Sequence, residues 1–192
     1  MSLVGTQSLP GWRRGASWLG VVMGSSLAVR ASGRVGLGDV VVGASRAIAE
    51  LIDAPPPEVV MLDGFGNQDE YASLRELGCG MAVWRFATVA PQSLVFCTVV
   101  EAPDGELEAM LEVGGELEPM GYVLAAALAI SLARVSGAGI VDETKAWSGA
   151  YENTVQGFLH QVGVRGDGWG CQEAAGRFVE RLNMNLGVRQ RK

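Results

Sequence analysis

Two carboxylates stand where acids that do chemistry are often found, at the mouth of a short apolar strand. Asp63 follows the run Val59 to Leu62, and Asp142 follows Ile140-Val141. If those two strands were neighbours, the carboxylates would share a rim. Such a pair can divide acid and base roles or hold a divalent cation. Asp142 has a second reading, as the acceptor that closes the turn leading to Thr144. Imidazole chemistry is confined to His160, the only histidine, which removes a histidine-rich metal site. A Cys–His nucleophile would need Cys79, Cys97 or Cys171 beside His160. Cys171 is eleven residues on, across a glycine-rich loop, but no nucleophile elbow surrounds any of the three. Gly36-x-Gly38 followed by Gly43 misses the dinucleotide fingerprint, because the third glycine comes too late. It reads as a loop before a helix capped by Asp39. No phosphate-binding GxxxxGK[ST] is present. The expectation is therefore a chain with no metal and no cofactor.

A different constellation points to binding. No Asp or Glu precedes Asp39, while Arg13, Arg14, Arg30 and Arg34 all lie in that stretch. From Phe86 to Ala133 the reverse holds: no Lys or Arg, but Glu101, Asp104, Glu106, Glu108, Glu112, Glu116 and Glu118. Seven carboxylates without a basic neighbour in sequence are expected on the surface, on one face, because burying unpaired charge costs several kcal/mol each. Their field would attract a basic surface and speed encounter with it. Trp147, Tyr151 and Trp169 sit among the polar, glycine-rich loops of the last third, where Trp and Tyr can anchor an interface.

The totals narrow the classes. A chain of 192 residues, 48% hydrophobic and 19% charged, suits one folded domain with an arm and excludes general disorder. A net charge of −6 argues against nucleic acid and against anionic membranes, which both want basic surfaces. Three cysteines far apart fit reduced thiols in a cytoplasm, and no CxxC spacing exists for zinc. Arg13-Arg14 before an apolar stretch has the outline of a signal peptide. That stretch is broken by Gly20, Gly24, Ser25 and Ser26, so Trp18 to Arg30 is expected to be a strand.

In composition and charge layout the chain resembles small acidic bacterial proteins that bind a partner, such as toxin-neutralising immunity proteins and secretion chaperones. The resemblance implies a non-enzymatic module with a basic protein partner. Its expected contact residues are Glu101, Asp104, Glu106, Glu108, Glu112, Glu116, Trp147, Tyr151 and Trp169. The alternative is a small enzyme with a carboxylate site near Asp63 and Asp142. A third reading is a homo-oligomer that packs its Met1–Arg30 arm on a neighbour.

The elements that must position these residues follow from pattern. Asp39 to about Ile52 reads as a helix with Val42, Ala49 and Ile52 inward, ended by Pro55-Pro56-Pro57. Glu58 to Leu62 reads as a strand, and Asn67 or Asp69 starts a short helix through Leu77. Met81 to Val89 and Ser93 to Ala102 alternate as the two arms of a hairpin. The stretch Glu106 to Glu118 suits helix or strand. Residues 120–135 form the strongest helix, apolar on nearly every side and hence central, with Pro119 at its start and Gly137 at its end. A helix lies within Gly149 to Gln161, and the last runs from about Trp169 to Met184. The order implies an α+β fold, helices packed on a mixed or mostly antiparallel sheet. Its expected parts are an irregular arm at residues 1–15, a single α+β domain at 16–188 and a frayed basic tail at 189–192.

Overall fold

The computed structural model describes residues 26–78, 82–102, 104–114 and 118–189. The expected arm and most of the expected Trp18–Arg30 strand lie outside the described residues. So do Cys79, Glu116 and the last three residues of the expected tail.

The architecture is α+β. Seven described strands are β1 (Leu27–Ala31), β2 (Val59–Leu62), β3 (Ala82–Thr88), β4 (Ser93–Glu101), β5 (Leu107–Gly114), β6 (Ile140–Val141) and β7 (Glu152–Asn153). They form one sheet in the order β2-β3-β4-β5-β1-β6-β7, and every neighbouring pair is antiparallel. The helices are α1 (Leu37–Ile52), α2 (Pro119–Ser136), α3 (Val155–Val162) and α4 (Cys171–Arg189).

The hairpin alternation sorts the two sheet faces. On β4, Ser93, Val95, Cys97 and Val99 are buried, and Leu94, Phe96, Thr98 and Val100 are half-buried on the other side. Leu107, Ala109 and Leu111 of β5 join the buried side. The acidic run, ambiguous from sequence, is a strand over most of its length. Its alternation of Leu107, Ala109 and Leu111 with Glu108 and Glu112 has period two, which a helix cannot use.

Helix α2 packs on β1, β4 and β5 and touches α1 and α4. With protein on all sides, its residues Met120 to Ala133 are buried without a break. Pro119 sits in its first turn, and Gly137, at φ 72°, ends it with an N–H to the Ala133 carbonyl. The helix is long and apolar enough to cross a membrane, yet most of it is buried inside this fold. Gly43 of α1 faces Ser131 of α2, whose hydroxyl donates to the Val40 carbonyl at 2.8 Å. Nearby, Arg134 grips Glu50 with two bonds of 2.9 and 2.7 Å.

Four local expectations need correction. Val42 points outward at 55% exposed, because the buried stripe of α1 runs Leu37, Val40, Ala44, Ala47, Ile48, Leu51 and Ile52. Ala49 is half-buried. Asp39 is not the cap: Gly36 takes that position without a side-chain bond, and Asp39 meets the positive helix end from the first turn. The segment Asn67 to Leu77 holds only a 3-10 turn at Ala72–Leu74. Its backbone bonds go elsewhere: Asp69 N–H to the Met61 carbonyl, Leu77 N–H to Val35, and Leu37 N–H to Arg75. The final helix continues past Met184 to Arg189, so residue 189 belongs to it rather than to a tail.

Candidate partner-binding surfaces

The β4–β5 hairpin carries the acidic residues. Its turn is closed by Ala102 N–H to the Glu106 carbonyl (2.8 Å) and Gly105 N–H to Ala102 (2.9 Å). The carboxylate of Asp104 accepts from the Glu106 N–H at 3.1 Å, an Asx turn that fixes the loop. Gly105 sits at φ 83°, where a side chain would be strained. Glu101, Asp104 and Glu112 are exposed, and Glu106 and Glu108 are half-buried.

Strand parity decides where they point. Glu106, Glu108, Met110 and Glu112 alternate with the buried Leu107, Ala109 and Leu111, so they share the side away from the helices. Register brings Val100 opposite Glu108, Thr98 opposite Met110 and Phe96 opposite Glu112. Glu101 has the parity of Val95, Cys97 and Val99, so it lies on the other side of the strand. The expectation of a single acidic face is thus corrected for Glu101. The charge segregation of the sequence is also partly undone by pairing. β1 lies beside β5 with Arg30 opposite Glu108, and their side chains approach to 3.7 Å.

The aromatic candidates separate. Trp147 is 1% exposed and packs between Tyr122 and Phe178, with ring centroids at 5.9 and 6.5 Å. It is a core residue, which overturns its expected contact role. Tyr151 is 49% exposed, and Trp169 is half-buried.

Asp142 explains the position of Trp147. Its fully buried carboxylate accepts from the backbone N–H groups of Ala146 (3.0 Å), Trp147 (2.9 Å) and Ser148 (2.8 Å), and from the Ser148 hydroxyl (3.2 Å). Every one of these bonds organises the loop that turns Trp147 inward. Asp63 organises its own turn, accepting from Phe65 N–H (2.8 Å) and Asn67 N–H (2.9 Å). The bond from the Asn67 backbone is the main reason its carboxyl lies below the usual aspartate range. The expected shared rim does not form. β2 is at one edge of the sheet and β6 five positions away, roughly 24 Å at about 4.8 Å per strand.

His160 is exposed on α3, while Cys97 is buried under the helices. No hydrogen bond joins His160 to Cys171 among the described residues. Burial pushes the Cys97 thiol up to about 12, far from the thiolate that nucleophilic chemistry needs.

Two concavities escaped the sequence reading. A cleft of about 190 Å³ lies beside β2 and β3, lined by Asp63, Asp69, Arg75, Trp84 and Arg85 among others. Asp69 pairs with Arg75 at 2.7 Å, Arg75 stands 5.9 Å over the Trp84 ring, and the buried Trp84 Nε1–H has no partner among the described residues. A larger groove of about 490 Å³ lies where α4 meets the loop before it, lined by Arg165, Trp169, Arg177, Glu180, Arg181 and Met184 among others. The i, i+4 spacing of Arg177 and Arg181 was the available signal. The chain matches no known protein family, no curated protein and no solved structure.

Proposed function

We propose that this chain is a non-enzymatic acidic binding module that takes a basic protein partner on the side of its β4–β5 hairpin that faces away from the described helices. One observation carries the reading. Glu106, Glu108 and Glu112 alternate along one strand side, with Met110 between them and Phe96 and Val100 across the register. Carboxylates around apolar contacts give both attraction at distance and area to bury on contact. Asp104 at the hairpin tip extends the same negative field, and Glu101 flanks it from the other side. The acidic bacterial proteins that the composition resembles act in this way in the cytoplasm, neutralising a toxin or escorting a secreted cargo.

The test uses the chain as bait in extract of its native host, with Glu106→Lys/Glu112→Lys as the comparison. The partner retained by the wild type should be basic and should be lost from the charge-reversed bait. Its association rate should fall steeply between low salt and roughly 0.5 M, where charges are screened beyond about 4 Å. A partner that binds both baits equally, or associates at a salt-independent rate, would sink the proposal.

A further inference from the structure

The groove beside α4 is charged opposite to the rest of the molecule. Arg165, Arg177 and Arg181 line it against a single carboxylate, Glu180, in a chain of net charge −6. Arg177 is paired with Glu180 at 3.0 Å on the helix surface. The other two guanidiniums are held differently. Arg165 donates to the carbonyls of Glu50 and Val164. Arg181 donates to the Gln161 carbonyl at 2.9 Å and the His160 carbonyl at 3.2 Å. Neutral carbonyls aim a guanidinium without cancelling its charge, and each arginine keeps further N–H donors for a carboxylate; the Glu50 carboxylate, which also feels the charge of Arg165, is already held by Arg134. The groove is also apolar in part. Val164 is buried in its wall, Trp169 is half-buried, and Met184 is 64% exposed. Arg177, Arg181 and Met184 follow i, i+4, i+7 spacing, so they share one face of α4. Trp169 stacks over Gly166, where even a Cβ would come within 2.3 Å of the ring, so the indole is held in place at the groove's edge.

We propose that this groove docks an acidic peptide segment of a partner protein, with carboxylates on Arg165 and Arg181 and one apolar side chain between Trp169 and Met184. Charge complementarity selects the occupant. An oriented guanidinium can take a carboxylate bidentately, and Trp, Arg and Met are the residue types that anchor interface centres. A long polyanion such as nucleic acid is disfavoured, because its flanks would run over a surface that is acidic in sum. This surface is separate from the acidic hairpin and stands or falls independently of it.

The test is fluorescence anisotropy of a short labelled peptide in which Glu residues flank one Phe, titrated with the full chain. The controls are the same peptide with Gln for Glu, and a single-stranded oligonucleotide. The wild type should bind the acidic peptide and bind the Gln peptide at least about tenfold more weakly, the loss of one good contact. Arg177→Glu, which sets a carboxylate one turn from Arg181 on the same face of α4, and Trp169→Ala should each weaken the acidic peptide by about tenfold. Arg177 is chosen because its one bond among the described residues is the exposed pair to Glu180, so the fold, followed by circular dichroism, should survive. The proposal is overturned if the Gln peptide binds as well, if Arg177→Glu leaves binding unchanged in a folded protein, or if the oligonucleotide binds more tightly. Salt-sensitive self-association abolished by Arg177→Glu would also overturn it, since a second copy would then be the occupant.

Discussion

Replacing Gly43 with alanine tests the contact on which the α1–α2 layer depends. A Cβ built on Gly43 would lie 2.2 Å from the Ser131 hydroxyl oxygen and 3.2 Å from its Cβ. The hydroxyl would have to swing away and abandon its 2.8 Å bond to the Val40 carbonyl, a loss of about 1 kcal/mol. The two helices would also have to part by a few tenths of an ångström in a packed core, which costs about 1–3 kcal/mol. Alanine returns about 1 kcal/mol through its better helix propensity. The net loss is about 1–3 kcal/mol, or a fall in Tm of roughly 2–12 °C for a chain of this size. Thermal and urea unfolding followed by far-UV circular dichroism would measure it. Ser131→Gly removes both clashing atoms, so the double variant should lose less than the two single losses added, with a coupling of about 1 kcal/mol or more. If Gly43→Ala is as stable as the wild type, or if the two changes add without coupling, the helices do not cross as closely as described.

Leu128 is fully buried in α2, and Leu128→Ala should cost about 2–5 kcal/mol by cavity formation; a urea-unfolding loss below about 1 kcal/mol would place the helix at the periphery. Glu50 has its pKa lowered chiefly by the bond from Arg134. Its contribution is therefore present above the ordinary glutamate range and lost as pH falls through the lowered value. Because both side chains are partly exposed, Arg134→Met should lose no more than about 1 kcal/mol at neutral pH. The gap from the wild type should close in acid; a gap that widens there would contradict the sign. Cys97 should resist alkylation at neutral pH until the protein unfolds, and peptide mapping that finds it labelled as fast as the half-buried Cys171 would refute its burial.

Elements bounded by local chemistry were legible in the sequence. Pro119 and Gly137 bracket α2, and its apolar perimeter announces the layers packed around it. The β3–β4 arms were legible because Trp84, Phe86 and Thr88 alternate against Val83, Arg85 and Ala87. Pairing between distant strands was not legible, since period-two alternation says which face a residue takes but not which strand lies beside it. That is why the sequence alone allows Asp63 and Asp142 to meet. It is also why the approach of Arg30 to Glu108 was missed. The helix expected before Leu77 failed because loop-to-loop backbone bonds and the Asp69–Arg75 pair compete with helical ones. Among the site residues the acidic run was plain. The fate of Trp147 was hidden, because a buried carboxylate five residues earlier draws a tryptophan out of a polar loop into the core.

The position of β1 constrains the order in which the chain can assemble. β1 comes before all the other described elements, yet it lies inside the sheet, with Leu27 facing Leu111 and Ala28 facing Val141. While the chain emerges during synthesis, β1 has neither neighbour until β5 has been made, and its second neighbour follows only after α2. The hairpins from β3 to β5 need only short closures, whereas seating β1 requires bringing Ala31 to Leu107 and Val29 to Ile140, far longer closures that are entropically costlier and slower. Pulsed hydrogen exchange during refolding should therefore protect the amides of β3 and β4 before those of β1. Simultaneous protection would mean that the long closure is made in the same step as the hairpins. A late interior strand also leaves β5 with an unpaired edge in the interim, and Glu108 and Glu112 on β5 discourage another chain from pairing there first.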